Sequence, residues 1–156
     1  MKRVLLVLVV YVLIASVSFA EIPGTPVKFS LLDKIAVPEK NDVVDGLEIG
    51  ISSYTYKIKG LSLNFIFSRI DEGLGIQVSP IILTKSFAGV QAGVINLNSS
   101  EISGLQCGFF NKAKSVRGFQ FGLVNMTEDL HGVQIGFINF IETGYFSTMV
   151  IANAKF

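Results

Sequence analysis

From about residue 43 onward, apolar and polar positions alternate in a pattern that recurs every 14 or 15 residues. GVQAGVIN (89–96), GLQCGFFN (104–111), GFQFGLVN (118–125) and GVQIGFIN (132–139) are four copies of G-Φ-Q-Φ-G-Φ-Φ-N, where Φ is apolar. Weaker copies precede them: GLEIGISS from 46, GLSLNFIF from 60 and GIQVSPII from 75. Within each octamer the period is two, which is the period of a β-strand. The Φ residues are mostly β-branched or aromatic, which suits strands. No stretch beyond residue 20 has a convincing 3.6-residue period, so the chain is expected to be all-β. A fixed repeat of this length predicts a repeat architecture of about eight 14-residue units.

Two architectures accommodate a strand in every repeat. In a β-solenoid each repeat is one coil and equivalent residues stack. In an eight-stranded antiparallel up-and-down outer-membrane barrel each repeat is one strand and a turn, and the terminal Phe156 suits that form. The solenoid leads, with the barrel as alternative and a soluble sandwich third. An apolar residue stands two places before the glycine (Val44, Ile58, Phe87, Ile102, Val116, Leu130), out of phase with the Φ residues that follow it. That predicts a corner at the glycine. The strict alternation also lasts about six residues, short of the roughly 9–11 that a spanning strand needs. Charges at Lys112, Lys114, Arg117, Glu128 and Asp129 limit its extension.

The solenoid expectation places Phe119, Phe121 and Leu123 inward, stacked on Leu105, Cys107 and Phe109 and under Val133, Ile135 and Phe137. Val116 and Leu130 face them. Gln91, Gln106, Gln120 and Gln134 then form an outward amide ladder, and Asn96, Asn111, Asn125 and Asn139 mark the next corner. Phe121→Asp is accordingly expected to unfold the domain. Gly122 fits this picture poorly, because a lumen-facing glycine is easier to explain than an outward one.

The ends depart from the repeat. Lys2 and Arg3, the apolar run Val4 to Val17 and Ser18-Phe19-Ala20 read as a signal peptide over 1–20, cleaved after Ala20; a retained membrane anchor is the alternative. Residues 21–42, with Pro23, Pro26 and Pro38, read as a linker and N-terminal cap, with a covering strand through Val27 to Leu31. The β-repeat domain then spans 43–144, and 145–156 is a C-terminal cap strand.

The repeat with DVVDGLEIGI before it and a tail ending VIANAKF resembles bacterial surface-repeat proteins of the leptospiral type, over roughly residues 27–156. The resemblance implies an exported protein without an assigned activity or catalytic residues, with a copy number that varies among members. Glu48, Ser62 and Pro80 depart from the pattern, so regular ladders are not expected before residue 87.

Charge and chemistry add little. Lys and Arg number 13 against 12 Asp and Glu, or 11 against 12 without Lys2 and Arg3, which gives no basic footprint for nucleic acid. Cys107 is the single cysteine, so no intramolecular disulfide forms, and its place in the repeat reads as a small buried hydrophobe. His131, with Glu128 and Asp129 nearby, is too few ligands for a metal site and reads as a polar loop. Asp71 and Glu72 read as turn residues, and Tyr54 and Tyr56 as packing in a less regular coil. Asn98-Ser99-Ser100 and Asn125-Met126-Thr127 fit a glycosylation pattern by coincidence. The sequence therefore predicts no catalytic, cofactor-binding or metal-binding residue and no cofactor. It predicts a non-enzymatic envelope or surface repeat protein, located in the envelope, the periplasm or at the outer-membrane surface, with a structural or interaction role. A barrel acting as anchor or narrow pore is the alternative function. Other envelope proteins, host-surface proteins and a membrane stay open as partners.

Overall fold

The computed structural model describes residues 24–32, 35–37, 43–144 and 146–156. The expected signal peptide lies outside them, as do parts of the expected linker. The described chain is all-β: β1 (Thr25–Leu32), β2 (Ile35–Val37), β3 (Val43–Val78), β4 (Ile81–Ala92), β5 (Ile95–Cys107), β6 (Phe110–Ile141) and β7 (Thr148–Lys155). It is a β-solenoid. β3, β4, β5 and β6 pair in parallel at a step of 14 or 15 residues, so that Gln77, Gln91, Gln106 and Gln120 lie side by side. Among the described residues, antiparallel pairing occurs only at the ends, β1 with β2 and β6 with β7, and the parallel coils exclude the antiparallel barrel. β1 runs parallel to β3 and places Lys28 beside Glu48. β7 lies antiparallel on the last coil, with Asn153 beside Gln134.

The interior is the reverse of the expected one. Gln77, Gln91, Gln106, Gln120 and Gln134 are fully buried, and so are Asn96, Asn111, Asn125 and Asn139. Phe119 is 49% exposed and Phe121 39%, and both belong to columns that face outward. Val116 and Leu130 are buried as expected, but they share their side of the strand with the glutamines. Val116 is four residues from Gln120 and three from Phe119, so a straight strand puts Val116 with the amide and not with the rings. The alternation runs unbroken through residues 116–122. Gly118 has a positive φ (+134°), but it lies within β6 and the phase does not change there, so the expected corner is absent.

Burial of amides is tolerated because each coil supplies partners to the next. Gln91 Nε2 donates to Gln77 Oε1 (2.9 Å), Gln106 to Gln91 (3.3 Å), Gln120 to Gln106 (2.7 Å) and Gln134 to Gln120 (2.7 Å). The asparagines run with opposite polarity. Asn96 Nδ2 donates to Asn111 Oδ1 (2.7 Å), Asn111 to Asn125 (2.8 Å) and Asn125 to Asn139 (2.8 Å). A second bond from each Asn Nδ2 goes to a backbone carbonyl of the next coil, of Cys107, Phe121 and Ile135 respectively, which ties adjacent coils together beside the turn. Buried polar groups cost little when paired in this way. The apolar part of the interior lies in two clusters, one containing Phe87, Ile102, Val116 and Leu130 and the other Val44, Ile58 and Ile70.

This arrangement accounts for Gly122. A Cβ there would overlap the Gly108 carbonyl and the Asn111 amide, and would press on Asn125 Oδ1. The second glycine of the motif is the space that the asparagine ladder occupies. The outward place of Phe121 also reverses the expected effect of Phe121→Asp. A surface charge at a partly exposed strand position should shift stability by about 1 kcal/mol or less. Urea denaturation checks it, and loss of the fold would restore the inward assignment.

Candidate interaction surface

With the amides inside, the Φ residues are left outside, and they line up in columns. Ile76, Val90, Leu105 and Phe119 form one, and Val78, Ala92, Cys107 and Phe121 a second. The turn that follows stacks Pro80, Val94, Phe109 and Leu123, because each carbonyl accepts bonds from the next coil's turn: Val94 and Ile95 N–H on Pro80 O, then Phe109 and Phe110 N–H on Val94 O. Ile81, Ile95 and Phe110 continue the apolar surface onto the other side of the turn. The repeat extends the same columns back to Leu47, Leu61 and Phe65 and forward to Val133, Ile135 and Phe137. Phe65, Phe109 and Phe137 are the most open of the turn residues, at 74%, 62% and 70% exposure. A contiguous apolar face of this kind is a candidate interaction surface.

The opposite turn is charged. Lys85 Nζ binds Asp71 Oδ2 (2.6 Å) and Lys57 binds Glu72 (3.1 Å); on its flank, Arg117 Nε lies 3.6 Å from Glu101. The hydrogen bond and charge of Asp71 push Lys85 above its ordinary pKa. The ladder's N-terminal end is also charged but buried. Gln77 Nε2 donates to Ser68 Oγ (2.9 Å), and beyond it Glu48 accepts from Ser53, Thr55, Ser62 (3.0 Å) and Asn64 (3.1 Å). Lys28 Nζ lies 3.8 Å from that carboxylate and donates to Thr55 Oγ1 (2.7 Å) and Tyr54 O (2.6 Å). An acceptor-only group suits this end, since every glutamine donates toward it. Sequence reasoning missed this buried pair. Lys28 and Glu48 occupy the glutamine position of their coils, and that was the available signal.

The residues weighed for chemistry do not converge. His131 is exposed on β6, with Nδ1 3.3 Å from Asp129 Oδ2, and no cluster of three metal-ligating residues occurs among the described residues. Cys107 sits half-buried in an outward column, not in the core, and burial raises its pKa, which disfavours the thiolate. Asp71 is buried at the charged turn while Glu72 is open. Tyr54 and Tyr56 are exposed, and Arg69 stacks over Tyr54 at 5.3 Å, which makes them surface groups. Asn98 and Asn125 are buried in the amide interior, out of reach of a glycosylating enzyme.

The C-terminal strand is held by charge. Lys155 Nζ donates to Asp129 Oδ1 (2.6 Å) and to Thr143 Oγ1 (2.9 Å). Hydrogen bonds from Lys155 and Thr143 hold the Asp129 carboxyl below its ordinary value. Its contribution is therefore present above the unfolded carboxyl pKa and is lost as pH falls through the lower folded one. β7 should fray on acidification below about pH 4, and Asp129→Asn should abolish that dependence. Amide exchange of β7, corrected for intrinsic rates, checks it.

These features define a two-sided β-solenoid with an amide-laddered interior, an apolar sheet and turn outside, and charges at the far turn. Compared with known proteins, the chain matches no family model, no curated protein and no solved structure.

Proposed function

We propose that the chain is an exported, non-enzymatic envelope or surface repeat protein whose work is structural or interactive. The observation that carries this is the set of outward apolar columns, repeated coil after coil on a hydrogen-bonded core. Such a scaffold presents one uniform surface, and identical coils supply area rather than a single reactive centre. The N-terminal pattern of basic, apolar and small residues supports export.

Fractionation of cells followed by protease shaving tests this. The expected result is recovery in the envelope fraction with access to protease at intact cells. Recovery in the cytosol would overturn it. A catalysed turnover that disappears in His131→Ala would overturn the non-enzymatic part.

A further inference from the structure

We propose that the apolar turn and its adjoining sheet face are a lipid-docking surface, seated in the interfacial layer of one leaflet with the solenoid axis lying in the membrane plane. The proposal rests on the envelope reading above and names the partner of that same surface.

Shape is the first reason. The apolar surface is not confined to one flat sheet. It crosses the turn at Val94, Phe109 and Leu123 and continues to Ile95 and Phe110 on the far side, all exposed or half-buried. A second copy stacking sheet against sheet covers one flat face and leaves the turn and the far side in water. A fluid leaflet closes around a convex ridge. From the Phe119 column to the Leu123 turn the chain advances about 13 Å at strand rise. Interfacial elements bury about 5–10 Å, and the remainder lies among headgroups. Stacked at about 4.8 Å per coil, the ridge from Leu47 to Val133 is about 30 Å long.

Charge is the second reason. Ionised groups are absent from the apolar columns named above and concentrate on the far turn, at Lys85, Glu101, Lys114 and Glu128. The two shoulders between these zones carry cations. Lys59 and Arg117 precede the motif glycines on one side, and Arg69 and Lys112 are exposed on the other. Asp45 is the acidic exception, in the first coil. Arg117 reaches Glu101 only at 3.6 Å and is itself largely exposed. Cations flanking an apolar ridge complement anionic headgroups.

The chain has no tryptophan, so a single introduced one reports its own site. Full-length Phe109→Trp, Phe137→Trp and Lys114→Trp, all at open positions, are mixed with vesicles of phosphatidylethanolamine and phosphatidylglycerol whose acyl chains carry bromine. Blue-shifted emission that loses most of its intensity is expected at 109 and 137, with little change at 114. Phe109→Gln combined with Phe137→Gln should lower partitioning roughly tenfold or more. A chain that floats with vesicles while 109 and 137 stay unquenched is attached through another segment, and overturns the proposal. So does equal quenching at 114. A blue shift without vesicles, together with a concentration-dependent dimer in sedimentation, assigns the surface to a second copy instead. Absence of vesicle binding in a chain that fractionates with the envelope defeats this proposal and leaves the envelope reading standing.

Discussion

Gly118→Ala should cost about 3 kcal/mol or more and shift the urea midpoint accordingly. Two effects combine. The φ of +134° is accessible to glycine and strained for any L side chain. A Cβ would also overlap the Gly104 carbonyl oxygen directly beneath it, and that atom is backbone, so the coil spacing itself must give. The same column contains Gly46, Gly60, Gly75, Gly89, Gly104 and Gly132, each set against the carbonyl of its neighbour. Relief at one rung therefore strains the next. A native midpoint for Gly118→Ala would mean that the coils are not stacked as described.

Gln120→Ala should be comparably damaging, at about 3–5 kcal/mol. It opens a cavity in the core, removes the donor to Gln106 Oε1 and takes the acceptor from Gln134 Nε2. The Oε1 of Gln134 already lacks a partner, so the upper end of the ladder has little to spare. Gln120→Leu refills most of the volume but supplies no hydrogen bond, and should recover only part of the loss. Chemical denaturation of the two variants separates cavity from unpaired amide. Equal stability of both variants to the parent chain would show that the ladder contributes nothing.

These two residues are neighbours of Phe121, where a charge is expected to be tolerated. The contrast reverses the usual assignment of apolar to core and polar to surface. It also shows where the sequence was legible. Parallel stacking at 14 or 15 residues follows from the four octamers, and the structure has that register at Gln77, Gln91, Gln106 and Gln120. The corner expected at Gly118 is not there: the glycine has a positive φ but lies inside β6. The covering strand through Val27 to Leu31 lies within β1, and the tail forms β7. The outward apolar columns were not legible. Phe109, Phe119 and Phe137 were placed in the core as the apolar face of the alternation, although Val116 and Leu130 already shared the phase of Gln120 and Gln134. Glu48 and Ser62 were taken as defects in the repeat, whereas they end the ladder on a carboxylate.

The sequence by itself determined the element type, the repeat length and the stacking of like on like, because these depend on local alternation and on its period. Which face of the alternation becomes the interior was decided only in the tertiary structure. A strand of Φ and Gln has two faces, and isolated transfer energies favour burying Φ. Stacking at about 4.8 Å changes the balance, since within the ladder each glutamine amide meets an identical amide on the neighbouring coil and exchanges water bonds for protein ones. The partners are 14 or 15 residues apart and exist only once the coils have closed, so the same folding step that satisfies Gln120 leaves Phe119 and Phe121 facing outward.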